Sequence, residues 1–148
     1  MPQVAPILIV DDSEDDVELF CLGLSGLNLP HPVDVCRDGE EALDYLLRRG
    51  RHAGRPDLLP LFMLVDVKMP RMGGIELLSE MRGNPMLRHL PVIVMTSSNQ
   101  PRDVQASYAA GANGFVVKPV DFDKLVENAR AIGTYWALCN RPPVHGPA

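Results

Sequence analysis

Short apolar runs alternate along the chain with segments whose apolar residues recur at helical spacing. Ile7-Leu8-Ile9-Val10, rich in β-branching and followed at once by acids, reads as a strand buried on both faces. Ser13 then stands as an N-cap, with acids in the first turn, where the helix dipole favours them. Val17, Phe20, Cys21 and Leu24 form the apolar stripe of that helix, which ends near Gly26 and the Asn28-Leu29-Pro30 break. Val33 to Cys36 predicts a second strand, and Asp38-Gly39 turns the chain into a helix with Ala42, Leu43, Leu46 and Leu47 on its apolar side. Gly50 to Pro60 lacks a period and reads as a loop. Leu61 to Val65 predicts a third strand ending in Asp66, after which the Met69 to Gly74 turn enters a helix carrying Ile75, Leu78 and Met81 on one side. Pro91 opens a fourth strand, Val92 to Met95, ending at Thr96-Ser97. A weaker helix from about Arg102 to Ala110 stops at Gly111, and Phe115 to Val117 makes a fifth strand ending at Lys118-Pro119. The last helix is the clearest: behind an Asp121 N-cap, Phe122, Leu125, Val126, Ala129, Ile132, Gly133 and Trp136 share one face.

Five strands alternating with five helices imply a doubly wound α/β fold, a parallel sheet with right-handed crossovers and helices on both faces. The 148 residues suit one domain over residues 1–139, followed by a Pro-rich tail, residues 140–148, that predicts disorder. With 46% hydrophobic residues, such a domain buries roughly 70% of its unfolded surface and needs neither disulfide nor metal to fold. A net charge of -5 disfavours non-specific binding to nucleic acid or to an anionic membrane. The arginines from Arg48 through the following loop have no aromatic residues among them and read as a solvated surface. Cys21, Cys36 and Cys139 show no paired spacing and predict buried reduced thiols in a cytoplasmic protein. The longest apolar stretch, Leu58 to Val65, is interrupted by Pro60 and is far short of the ~20 residues that cross a bilayer. The N-terminus lacks the basic region of a secretory signal.

The polar residues that interrupt the apolar runs all fall at carboxyl ends of strands: Asp11 and Asp12, Asp66, Thr96 and Lys118. In open α/β sheets that edge is where ligands bind. Three carboxylates, a hydroxyl and an ammonium gathered there suit Mg²⁺-assisted phosphoryl transfer. Crowded carboxylates repel unless a cation joins them, and Mg²⁺ prefers one or two carboxylates, waters and a phosphate oxygen. Asp66 would then be the nucleophile, because carboxylates form acyl phosphates. Lys118 would offset charge on the phosphoryl oxygens while the Thr96 hydroxyl donates to one of them.

Ile9-Val10-Asp11-Asp12-Ser13, Leu64-Val65-Asp66-Val67-Lys68-Met69-Pro70, Met72-Gly73-Gly74, Val94-Met95-Thr96-Ser97 and Gly111 to Pro119 together resemble bacterial response-regulator receiver domains, over about Ile7 to Trp136. The resemblance implies a flavodoxin-like strand order 2-1-3-4-5. It also implies that Asp66 accepts phosphate from a phosphohistidine of a sensor histidine kinase or phosphotransfer protein. Asp11, Asp12, Asp66 and the main-chain carbonyl of Lys68 would hold Mg²⁺. Lys118 would hold the phosphate, and Thr96 with Phe115 would form a switch pair. Lys68 and Ser98 occupy flanking positions at which the family tunes hydrolysis.

The chain ends soon after the last helix, which implies a stand-alone regulator acting through protein contacts rather than an enzyme on external substrates. The long loop before the third strand and the extended last helix resemble the single-domain regulators paired with phytochrome-type kinases. Tyr135, Leu138 and Cys139 lie off or beyond the final stripe and predict a homodimer through the last helix. The main alternative is a small Mg²⁺ phosphohydrolase, which would carry a second acid two residues after its nucleophile, where Lys68 stands. A phosphorylation-independent binding module is the other.

Overall fold

The computed structural model describes residues 3–143. Five parallel strands, β1 (Ile7–Val10), β2 (Val33–Cys36), β3 (Met63–Val65), β4 (Val92–Thr96) and β5 (Gly114–Val117), lie in the order β2-β1-β3-β4-β5. They alternate with α1 (Glu14–Ser25), α2 (Gly39–Leu47), α3 (Gly74–Arg82), α4 (Pro101–Ala110) and α5 (Phe122–Gly133). The expected fold class and strand order are both present.

The period of two along each strand divides the core into two layers. Leu8, Val10, Met63, Val65, Val92 and Val94 pack with Ala42, Tyr45 and Leu46 of α2 and Leu77, Leu78 and Met81 of α3. Ile7, Ile9, Leu64, Ile93 and Met95 pack instead with Val17, Phe20 and Leu24 of α1 and Leu125, Ala129 and Ile132 of α5. β1, β3 and β4 are buried throughout, whereas β2 and β5, at the two edges, are half-covered.

The expected caps hold α1 and α5: the Ser13 hydroxyl accepts from the Asp16 N–H, and the Asp121 carboxylate from those of Asp123 and Lys124. Asp38 does the same for α2 through the Glu41 N–H. Gly111 ends α4 at φ 110, a left-handed conformation that favours glycine. Against that turn lies Arg82, whose guanidinium donates to the carbonyls of Gly111, Leu87, Arg88 and Leu90. At the other end of α4 the Ser98 hydroxyl donates to the Asp103 carboxylate.

Several details depart from expectation. β3 is shorter than Leu61 to Val65, although Leu61 still donates to the Pro6 carbonyl, so the chain reaches the sheet before regular pairing starts. Tyr45 belongs to the core because its hydroxyl, the feature that excluded it from an apolar stripe, is satisfied by Asp34 at 2.6 Å. Leu77 is also buried, and Ile75 only partly, which rotates the inner face of α3. Phe122 is 68% exposed: it is the first residue of α5, and burial begins one turn later at Leu125. Cys36 is buried, and burial pushes its thiol up to about 12, but Cys139 is exposed, against the expectation of three buried thiols. Gly50–His52 form a 3-10 turn within the expected loop, and α5 continues into a wider π-helical segment, Thr134–Cys139. The tail expected to be disordered is irregular up to residue 143; residues 144–148 lie outside the described residues.

Candidate functional site

β1, β3 and β5 are each followed by a charged residue at the carboxyl edge of the sheet. Asp11 follows β1; its N–H donates to the Cys36 carbonyl at 3.0 Å, and its Oδ1 accepts from the Ser13 N–H at 2.9 Å. Asp66 follows β3, held by its own N–H on the Val10 carbonyl at 3.0 Å. Lys118 follows β5, and its N–H donates to the Thr96 carbonyl at 2.7 Å. These main-chain bonds continue the ladder by one residue and bring the side chains to the same edge.

The Lys118 ammonium is the centre of the arrangement. It donates to Asp11 Oδ2 at 2.8 Å, Asp16 Oδ2 at 2.8 Å and Asp66 Oδ2 at 2.9 Å. Its side chain is 7% exposed. Burial alone would lower this ammonium, but the hydrogen bonds to Asp11 and Asp16 and the nearby charge of Asp66 outweigh burial and raise it. Asp11 is raised as well, because burial exceeds the opposing help from Lys118 and the Ser13 N–H.

Asp12 is exposed, and its carboxylate stands with those of Asp11 and Asp66 so that one oxygen of each lies within 4.8 Å of the others. Three carboxylates thus contact one ammonium, with that of Asp12 beside two of them. The excess negative charge and the hard oxygen donors fit a divalent cation of the Mg²⁺ or Mn²⁺ kind. Lys68 is exposed; its N–H points to Asp66 Oδ1 at 3.4 Å, and among the described residues its carbonyl accepts no hydrogen bond.

Thr96 is buried at the end of β4, and its hydroxyl oxygen accepts from the Ser98 N–H at 3.3 Å. Phe115 is half-buried and pairs in register with Val94. Alternation along β4 places Thr96 on the same face as Val94, the face on which Phe115 packs with the α2 and α3 residues.

Asp11, Asp12 and Asp66 therefore come together with Lys118; Thr96 and Lys68 adjoin them through main-chain bonds to Lys118 and Asp66, and Phe115 lies further down the sheet, opposite Val94. Asp16 joins them without having been expected. In the sequence it is an ordinary first-turn acid, yet it shares the i, i+4 ridge of α1 with the buried Phe20 and Leu24. An acid on the buried ridge was the available signal.

A doubly wound sheet carrying this acid–lysine cluster at its carboxyl edge is the arrangement of a phosphoacceptor receiver. The chain belongs to that family: residues 7–130 match the response regulator receiver domain. It is 34% identical over 142 residues to the probable methanogenesis regulatory protein FilR2 of Methanothrix harundinacea, covering 96% of this chain and 88% of that protein. It is 32% identical over 130 residues to the response regulator Rcp1 of Synechocystis, covering 88% and 87% respectively. The Mn²⁺-bound form of Rcp1 superposes with a TM-score of 0.89 at 30% identity, over 95% of this chain and 100% of that one. The phosphorylated cyanobacterial phytochrome response regulator RcpA gives 0.89 at 29% identity, over 96% and 100%. The protein is thus a receiver-type component of two-component signalling, with a family that binds divalent metal and works with a kinase or phosphotransfer partner. Among the described residues no helix is long and apolar enough to cross a membrane.

Proposed function

We propose that this chain is a single-domain response regulator that accepts a phosphoryl group on Asp66. One observation carries the assignment: Lys118 bonds at once to Asp66 and Asp11, so the nucleophile, a metal-binding acid and the balancing cation occupy one small volume. A carboxylate oxygen of Asp66 attacks phosphorus; the new O–P bond forms as the P–N bond to a donor imidazole breaks and the imidazole leaves with the bonding pair. Lys118 moves from carboxylate to phosphoryl oxygen, keeping an ammonium against the charge that accumulates there. The Thr96 hydroxyl turns to donate to the phosphoryl group, and Phe115 on the same face follows it inward. Asp11, Asp12, Asp66 and the Lys68 carbonyl would hold Mg²⁺, which would supply positive charge against the phosphoryl oxygens.

Residues 1–139 act as the receiver and residues 140–148 as a tail, working in the cytoplasm. The domain catalyses only its own phosphorylation and dephosphorylation. The resemblance to RcpA and Rcp1 supports a phytochrome-type histidine kinase as donor, and the exposed end of α5 supports a homodimer. Asp66→Asn should abolish acid-labile phosphate uptake from a cognate kinase or small phosphoryl donor while the far-ultraviolet dichroism stays unchanged. Undiminished uptake would remove Asp66 from this role. Chelating Mg²⁺ should stop the same reaction in the native protein.

A further inference from the structure

A second group of metal-ligating side chains lies away from the acidic cluster, at the carboxyl end of β2. Cys36 closes that strand, Glu41 stands in the first turn of α2, and His52 ends the 3-10 turn of the following loop. Their sulfur, one carboxylate oxygen and one ring nitrogen all lie within 4.8 Å of one another. Three separate segments converge here, and each brings a different donor atom. We propose that Cys36, Glu41 and His52 form a binding site for a thiophilic divalent metal of the zinc class, independent of the Mg²⁺ site.

The geometry of each ligand supports this. The Glu41 carboxylate uses one oxygen to accept from the Arg37 N–H at 2.9 Å, which fixes its orientation and turns the other toward His52 Nε2 at 3.1 Å. The His52 ring is held edge-on against Tyr45, with centroids 5.4 Å apart. A zinc ion would draw donors to about 3.4–3.8 Å from one another, given its bond lengths to nitrogen and sulfur. Glu41 Oε2 and His52 Nε2 already stand near that spacing, so the adjustment falls on their approach to the Cys36 sulfur, on the order of 1 Å. Sulfur, imidazole and carboxylate together favour zinc over magnesium, which takes hard oxygen donors.

Access comes through an open cleft of about 350 Å³ lined by Glu40, Glu41, Asp44, Arg51, His52 and Arg71. The Arg51 guanidinium now rests on the Glu41 oxygen that would face the metal. Arg51 is 75% exposed and can swing into solvent, and the metal's charge would take the place of its guanidinium beside the 11%-exposed Glu41 carboxylate and His52. The bound metal would tie β2, α2 and the loop at a single point.

Cobalt(II) titration of the full chain tests the site, with Mg²⁺ in excess to fill the acidic cluster and Cys139→Ser as background to remove the exposed thiol. A thiolate-to-cobalt charge-transfer band in the near ultraviolet, saturating at one metal per chain and bleached by zinc, is the expected result. Cobalt held only by carboxylates gives no such band. Cys36→Ser should abolish it; His52→Gln, a change at the loop surface, should weaken binding by roughly tenfold or more. Zinc should raise the melting temperature of the Cys139→Ser protein but not of its Cys36→Ser derivative. Absence of the band, or full affinity retained in His52→Gln, would overturn the proposal.

Discussion

Lys118 is shared by Asp11, Asp16 and Asp66, and these partners are not equivalent. Asp66 and Asp11 follow strands, whereas Asp16 reaches in from the first turn of α1, with a side chain 28% exposed. Asp16→Asn is therefore expected to cost about 1 kcal/mol in urea unfolding of the unmodified protein, the scale of one partly solvated hydrogen bond. Phosphate uptake on Asp66 should survive it. Lys68, two residues past Asp66, is exposed, and a side chain of its length could cover a phosphoryl group there and obstruct in-line water. Lys68→Asn should shorten the phosphoryl lifetime, followed as loss of acid-labile phosphate. The strand-end residues were legible in the sequence because each polar group interrupted an apolar run. Asp16 was not, since an acid in a helix's first turn already has an ordinary electrostatic reason to be there.

Two elements can be probed through single contacts. The Asp38 cap of α2 is buried, which alone would raise its carboxyl; the Glu41 N–H and the Arg71 guanidinium outweigh burial and hold it below the usual range. A depressed acid stabilises the fold above its unfolded pKa and loses that contribution as pH falls through the folded value. The stability gap between wild type and Asp38→Ala should be about 1 kcal/mol at neutral pH and shrink as pH drops below about 4. At the start of α3, a Cβ on Gly74 would lie 2.2 Å from the Asp66 carbonyl oxygen. Gly74→Ala should destabilise by about 1–3 kcal/mol through overpacking and reduce phosphate uptake by displacing the nucleophile. Strands and helix stripes were readable wherever one property sufficed, burial with apolarity. Tyr45 escaped because a partnered hydroxyl made a polar-tipped ring into core, and Phe122 because periodicity cannot say on which turn a helix meets its sheet.

At the scale of the whole molecule, the side of α4, β5 and α5 leaves apolar groups uncovered. Val120 is 97% exposed, Phe122 68%, Leu138 60% and Tyr108 51%, while Trp136 packs on the α1–α5 core. Tyr135 and Leu138, 49% and 60% exposed, stand one turn apart in the last helical segment, and neighbouring exposed apolar residues of this kind mark contact surfaces. A dimer at micromolar concentration is expected, tightened by a beryllofluoride mimic of phosphate and weakened by Leu138→Ser; sedimentation velocity reads both. The doubly wound topology itself was legible from strand–helix alternation. Within that same side, α4 is fastened unequally. Arg82 grips the chain around its C-terminal end through several carbonyls, whereas the start of the helix hangs on Ser98, which bonds the Asp103 carboxylate with its hydroxyl and the Thr96 hydroxyl oxygen with its N–H. Only Ser107 of α4 is fully buried. The helix is therefore a lever with its fulcrum at Gly111 and a light catch at its free end, and the catch is attached to Thr96, the residue proposed to turn toward the phosphate. Amide exchange should run from fast to slow along α4, and releasing the catch by Ser98→Ala should steepen that gradient before any phosphate arrives.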